Sequence, residues 1–326
     1  MLCTVLWEKE GATPGESSGM QYVCIVNPVA GKGSPAGGLA AKFAEFCRKK
    51  GVPCRIETTK APGDAEKIAR RYAAGGKEVR ILAVGGDGTL GEAARGVMGS
   101  EAAVGILPCG SGDDYVRTFG KKEQFLSFEG QLSAREKVVD MIACRDESGP
   151  RPTALNLCSM GLDAKVAMNM TRLKKIPFVR GSMAYNLSLL QCLCGKLGLN
   201  LSVQVDGGEV ITGCFLFALA GSGRYYGGGY CGAPRALPDD GLLDFILIRK
   251  PKLWRIPGLI SVYKNGQHLD SEKMKDLTVF LRGKTVGIRG DKPNPVNRDG
   301  ECEMGTQVCF SVLPGAVRFL VSDKGT

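Results

Sequence analysis

The residues best placed to do chemistry lie in three glycine-rich turns. Val79-Arg-Ile-Leu-Ala-Val84 runs straight into Gly85-Gly-Asp-Gly-Thr-Leu-Gly-Glu92. An apolar strand, a glycine turn and a helix in that order aim backbone N–H groups and a helix N-terminus at one point, which suits a phosphate. Thr89 with Glu92 also fits a capping box, which would account for the helix start by itself. Three glycines beside a carboxylate exceed what a cap needs. The run from Gly86 to Gly91 also spells the dinucleotide fingerprint GxGxxG. Against that reading, Asp87 would repel a pyrophosphate, and the next strand, 103–107, ends in Pro108 and not in a ribose-binding acid. An aspartate in such a turn makes better sense with Mg²⁺, holding the metal or taking a proton.

A second turn, Pro108-Cys-Gly-Ser-Gly-Asp-Asp-Tyr115, places Asp113 and Asp114 at a helix start, where Asp is also favoured as a cap. Asn27 and Gly31 to Gly33 form a third turn. It is not a Walker A loop, because Gly31-Lys32 lacks the upstream Gly and the following Ser or Thr.

The elements that must position these turns alternate. Strands are expected over 22–26, 52–58, 79–84 and 103–107, with helices over 39–49, 64–74 and up to about 98. Such alternation predicts an α/β domain with a parallel, Rossmann-like sheet covered on both faces. Ligands of parallel sheets sit at the C-terminal strand edge, so Asp87 and Asp114 should lie close together there. Beyond about 128, strand-like runs dominate (137–144, 153–158, 202–205, 210–220, 243–248, 277–281, 285–288), with one helical stretch at 184–194. The expected organisation is a flexible tail at 1–19, an α/β domain at 20–128 and a mainly antiparallel β-sandwich at 129–313. Whether 314–326 returns to the first sheet is undecided.

Composition narrows the chemistry. The 326 residues include a single His, so carboxylates must carry any acid–base work, and His268 itself is expected at the surface. Lys and Arg outnumber Asp and Glu by 43 to 33, and the resulting +10 attracts phosphate as nucleotide, nucleic acid or anionic membrane. The 13 Cys form no CxxC pair and sit in apolar stretches, as at Cys24 and Cys214, a usage that suits a reducing cytosol. Cys192-Leu-Cys194 reads as core packing. Gly is abundant, at 46, but without a triplet period, which excludes a collagen-like chain. No apolar run reaches about 18 residues, so no spanning helix is expected. The stretch 2–7 is too short, and the acids after it too close, for a signal peptide.

Together these turns resemble the catalytic domain of diacylglycerol kinases and related lipid kinases, sphingosine kinases included. The motifs are Asn27-Pro with Gly31, Gly85-Gly-Asp-Gly-Thr89 with Glu92, and Gly110-Ser-Gly-Asp-Asp-Tyr115. The resemblance continues through Asn156, Gly161-Leu-Asp163, Gly223-Arg-Tyr-Tyr-Gly-Gly-Gly229, Asp239-Asp-Gly-Leu-Leu-Asp244 and Asp299-Gly-Glu301, covering nearly everything from about residue 20. It implies an ATP- and Mg²⁺-dependent kinase whose acceptor meets the nucleotide between two domains. Asn27, Gly31, Thr59, Gly86, Gly88 and Thr89 would line the ATP phosphates. Asp87 and Asp114 would form the catalytic cluster with Glu301, and Asp87 competes with Glu301 for the role of base. Taken alone, Asp299-Gly-Glu301 reads as a hairpin turn.

The resemblance also implies a structural Mg²⁺ at the Asp240 carboxylate and the Leu237 and Leu242 carbonyls, evenly weighed against a simple turn. This chain departs from the family's usual Asn at Gly91, Asp113 and Gly221, which would weaken the hydrogen bonds holding the acids. An active kinase is still expected.

A lipid acceptor requires docking on an anionic membrane surface. Arg172-Leu-Lys-Lys-Ile-Pro-Phe-Val-Arg180 and Arg249-Lys-Pro-Lys-Leu-Trp-Arg-Ile256 mix cations with apolar residues as such docking needs, though either also reads as a solvated basic loop. Aromatics are not interleaved with the basic residues, so nucleic acid is excluded as a partner. A homodimer is left open. The expected protein is cytoplasmic, peripherally membrane-associated, and phosphorylates diacylglycerol or a similar lipid alcohol. The alternatives are a sphingoid-base or NAD kinase, or a catalytically weak nucleotide- or lipid-binding relative.

Overall fold

A computed structural model describes residues 19–31, 35–173, 181–193, 195 and 197–322. The tail before 19 and most of the basic segment 172–180 lie outside these residues. In the first half, β1 (Gln21–Val26), α1 (Pro35–Lys49), β2 (Cys54–Thr58), α2 (Asp64–Ala73), β3 (Val79–Gly85), α3 (Asp87–Val97) and β4 (Ala103–Pro108) alternate along the chain. The strands pair in parallel in the order β4-β3-β1-β2. Side chains alternate between two cores. Val23, Ile25, Ile81 and Ala83 pack on the α2–α3 side, and Tyr22, Cys24, Leu82 and Val84 pack under α1. A sheet covered on both faces has to be this uniformly apolar.

Short helices α4 (Lys122–Phe125) and α5 (Phe128–Leu132) lead into the second half. This contains β5 (Arg135–Asp146), β6 (Gly149–Ala154), β7 (Leu157–Gly161), α6 (Leu162–Leu173), α7 (Gly181–Leu193), β8 (Leu199–Val205) and β9 (Ile211–Gly221). There follow β10 (Tyr225–Tyr226), β11 (Tyr230–Cys231), β12 (Leu243–Arg249), α8 (Ile256–Lys264), β13 (Thr278–Gly283), β14 (Thr285–Arg298) and β15 (Glu301–Val321). Pairing from β13 through β12, β9, β7 and β14 to β15 is antiparallel, and β8 joins β14 to β9.

Several expectations are corrected here. Among the described residues the second half holds three helices, not one. α6 and α8 go beyond the expected helix although their helical periodicity is close to that of α1, and α8 carries Pro257 in its first turn, where Pro is tolerated. The strand expected over 153–158 is broken at Leu155-Asn156, between β6 and β7. His268 is buried against the Tyr263 ring, 4.6 Å between centroids, and burial pushes its pKa down to about 4. Cys214 is exposed, while all the described cysteines are free thiols.

β15 joins the halves. Its start pairs with β14, and Arg318 and Phe319 pair in parallel with Ala103 and Val104 of β4. Phe319 packs against Tyr115, Phe119 and Phe125 at centroid distances of 5.1, 4.9 and 6.3 Å. Each large apolar ring buried this way contributes about 1.5–3 kcal/mol. The cluster fixes the turn containing Asp113 and Asp114 against the last strand.

Candidate active site

A polar cleft of about 490 Å³ lies at the C-terminal edge of the parallel strands, closed on its far side by residues of β7, α6 and the β14–β15 turn. Asn27, Gly31, Gly86, Asp87, Gly88, Thr89 and Asp114 all line it. Thr59 sits at the same edge, its hydroxyl on the Val26 carbonyl at 3.3 Å, but does not line the cleft.

The capping-box reading does not hold. Gly86 occupies the cap position of α3 without a side-chain cap, and Thr89 lies inside the helix, its hydroxyl accepting from Asn27 Nδ2 at 3.1 Å. Glu92 instead accepts from the Ala65 N–H of α2, at 3.1 Å. The first N–H groups of α3 therefore remain available to an anion in the cleft. Glycine is needed where turns meet: a Cβ on Gly110 would come within 2.5 Å of Gly86 Cα. On Gly88 a Cβ would meet nothing within 4 Å, so that side of the turn is open.

Asp87 accepts the N–H groups of Asp114 and Tyr115, at 3.0 and 3.1 Å, and so ties the first glycine turn to the second. Burial raises its pKa against the lowering effect of these bonds. Asp114 accepts from Gly228 N at 2.7 Å, and Arg117 Nε lies 3.4 Å from its other oxygen. Burial, and then the Asp87 charge, push the Asp114 carboxyl up to about 6. A hard divalent cation brought in with a polyphosphate would relieve the repulsion between these two buried carboxylates and favour their ionised forms. Among the described residues, no three His, Cys, Asp or Glu side chains converge on a metal position.

Asp113 does not join them. With φ at 48°, it turns its carboxylate to the Gly110 N–H, at 3.0 Å, and to Lys122 Nζ, at 2.5 Å. Its extra charge is thus neutralised within the turn. Gly221 has no room for an amide, since a Cβ there would lie 2.8 Å from that of Ala233. Gly91 does: its Cβ would stand 3.9 Å from Asp299 Oδ2.

The second half supplies Asp299, which the sequence pointed to only as part of a turn. It holds φ at 49° and accepts the N–H groups of Leu155, Asn156 and Leu157, at 2.5, 3.1 and 2.8 Å. These are the donors freed by the break between β6 and β7. Burial raises its pKa to about 6. Glu301, two residues on, is 54% exposed, does not line the cleft, and faces Arg95 Nη2 at 3.4 Å. Arg95 also holds Glu66 at 2.9 Å, so it links α2 and α3 to the start of β15.

Asp163, at the start of α6, is buried, with the Ser159 hydroxyl and the Ala164 N–H as its nearest donors. Burial pushes its pKa up to about 6. It lines the cleft and also a narrow apolar cavity of about 80 Å³ beside Leu189, Phe217, Ile256 and Leu259, and Tyr226 is likewise common to both.

The expected metal position at Leu237, Asp240 and Leu242 does not fit a cation. Arg282 Nη2 closes on Asp240 Oδ2, the Leu242 N–H donates to Oδ1 at 3.1 Å, and Arg282 Nε lies 3.1 Å from Asp244. A guanidinium already occupies the carboxylate that a second Mg²⁺ would need.

Residues 21–144 match the diacylglycerol kinase catalytic domain, and 156–321 match the YegS C-terminal NAD kinase beta sandwich-like domain. A diacylglycerol kinase of Mycobacterium tuberculosis is 24% identical over 92% of this chain and 94% of its own. A Pseudomonas fluorescens protein named "Probable lipid kinase YegS-like" is 30% identical over 84% and 87%. Among solved structures, a diacylglycerol kinase from Bacillus anthracis superposes with a TM-score of 0.69 at 19% identity, covering 94% of this chain and 98% of its own. Yeast NADH kinase complexed with NADH reaches 0.51 at 11% identity, covering 94% and 84%. With both halves matched in order, the chain belongs to the diacylglycerol kinase catalytic-domain family of lipid kinases, in its YegS-like form.

Proposed function

We propose that the protein transfers the γ-phosphate of ATP to the hydroxyl of diacylglycerol or a closely similar lipid alcohol. The observation that carries this reading is the shared wall of the two cavities. An amphiphile with its chain among Leu189, Phe217 and Leu259 would present its polar end between Asp163 and Tyr226, facing the glycine turns. A soluble dinucleotide acceptor gives that apolar wall nothing to do.

The chain's own residues divide the work. The N–H groups at the start of α3 and the Asn27–Thr89 pair would receive the nucleotide's phosphates. Asp87 and Asp114 would hold Mg²⁺, which neutralises charge building on the transferred group. Asp163, common to the walls of both cavities, would accept a hydrogen bond from the acceptor's polar end. Asp87 and Glu301 would compete for the hydroxyl proton: Asp87 lines the cleft but would be engaged by Mg²⁺, while Glu301 lies outside the cleft lining and would first have to leave Arg95.

The test is purified protein with γ-labelled Mg-ATP and diacylglycerol, sphingosine or NAD, the lipids in mixed micelles. Labelled phosphatidic acid is expected. Label in NAD alone, or in no acceptor, sinks the reading.

A further inference from the structure

Leu253 and Trp254 form an adjacent pair of large apolar side chains left in solvent, 62% and 77% exposed. They sit on a single 3₁₀ turn, Leu253–Arg255, between β12 and α8. The flanking residues on either side of this turn, Pro251 and Ile256, line the apolar cavity. Leu190 of α7 is 59% exposed as well, while its neighbours Leu189 and Leu193 line the same cavity.

The turn is not loose. Arg255 holds both Asp276 oxygens, at 2.7 and 2.9 Å, and the Lys273 carbonyl at 2.8 Å. Lys250 and Lys252 are exposed, and neither has a carboxylate partner among the described residues. A rigid apolar tip beside two uncompensated ammonium groups is complementary to an anionic, partly apolar surface. A second copy joined with this turn on its two-fold axis fits poorly, because that contact would crowd four lysine ammonium groups together.

We propose that the Lys250–Ile256 turn docks the protein on an anionic bilayer. Leu253 and Trp254 enter the boundary between headgroups and acyl chains, while Lys250 and Lys252 face the headgroups. Trp is suited to that boundary, with an apolar ring and one N–H donor, and nearby cations add attraction to anionic lipid. The apolar cavity behind the turn then faces the membrane, so a lipid can pass from bilayer to cavity without crossing water. The purpose of docking rests on the lipid-kinase reading; the docking itself does not.

The chain has two Trp, at 7 and 254, so in a Trp7→Phe background Trp254 is the sole indole reporter. Phosphatidylcholine vesicles containing about one-third phosphatidylglycerol should shift its emission to the blue and allow quenching by brominated acyl chains; added salt should weaken both. Leu253→Ser/Trp254→Ser, with its melting temperature checked, should lose at least about tenfold in vesicle binding and in phosphorylation of vesicle-borne lipid. Turnover of a monomeric short-chain diacylglycerol should be unchanged. Lys250→Ala/Lys252→Ala should lose roughly tenfold in preference for anionic over neutral vesicles.

The proposal is overturned if Trp254 emission ignores anionic vesicles, or if the double Ser variant binds them like the parent. It is also overturned if the emission shift tracks protein concentration without lipid and that variant turns a dimer into a monomer. If Trp254 partitions into vesicles but no acceptor is phosphorylated, docking stands and the kinase reading fails.

Discussion

The two cavities that meet at Asp163 and Tyr226 are built by opposite means. The polar cleft is framed by backbone: N–H groups of α3, glycine turns in contact, and aspartates whose oxygens are mostly committed to main-chain donors. The apolar cavity is framed by side chains from α6, α7, β9, β12 and α8, with few polar atoms at all. A backbone frame tolerates little change at its glycines and aspartates, where an added Cβ or a lost acceptor breaks the contact between turns. A side-chain frame can change its dimensions residue by residue. The arrangement fits a fixed reaction centre with an adjustable acceptor pocket.

The most severe way to break the cleft is Asp87→Asn, expected to lower turnover about 10³-fold in the labelled-ATP assay. An amide offers one acceptor oxygen where Asp114 and Tyr115 now use two, so a smaller fall in melting temperature should accompany it.

Asp163 sharpens the comparison, since it belongs to both cavities. Its carboxyl titrates near 6 when folded and near the ordinary 3.8 when unfolded. Between these pH values the folded chain retains a proton that the unfolded chain has lost, so stability falls as pH rises from about 4 to 6. The penalty at neutral pH is on the order of 3 kcal/mol. Asp163→Asn should lessen the fall in thermal stability across that window, the remainder belonging to Asp114, Asp244 and Asp299, and raise the melting temperature at pH 8. In the same variant kcat/KM for lipid should fall at least about tenfold, opposing the gain in stability.

A smaller effect is expected at Arg282→Ala, which leaves Asp240 and Asp244 uncompensated and should cost about 1–3 kcal/mol. Millimolar Mg²⁺ should partly restore the variant's melting temperature and leave that of the parent unchanged. Equal Mg²⁺ responses would show that the guanidinium does not substitute for a cation. Smallest is Gly91→Asn. It should add a few tenths of a kcal/mol from better helix propensity and offer Asp299 an amide donor, measurable as a modest rise in melting temperature.

The same contrast explains what could be read from the chain before folding. Glycine turns after Val26, Val84 and Leu107 advertise themselves locally, because strand, turn and helix are consecutive in sequence. Asp299 does not: its three N–H donors come from Leu155 to Leu157, more than 140 positions away. Nothing near Asp163 in sequence announces that it will be buried between two cavities, because the other walls come from α7, β9, β12 and α8. Arg282 lies opposite Asp244 in the β12–β13 register, a pairing that no motif encodes. His268 was misplaced because the Tyr263 ring that buries it belongs to α8, a helix outside the expected ones.

The long last strand has a consequence for biosynthesis. β4 pairs with Arg318 and Phe319, so its outer edge has no strand partner until more than two hundred further residues have been made. At about 5–20 residues per second, a nascent chain would carry the three glycine turns on a half-finished sheet for roughly 10–40 s. An open, apolar strand edge of this kind invites pairing with other chains. Completion of the parallel sheet is therefore timed by the synthesis of the strand that lies farthest from it in sequence.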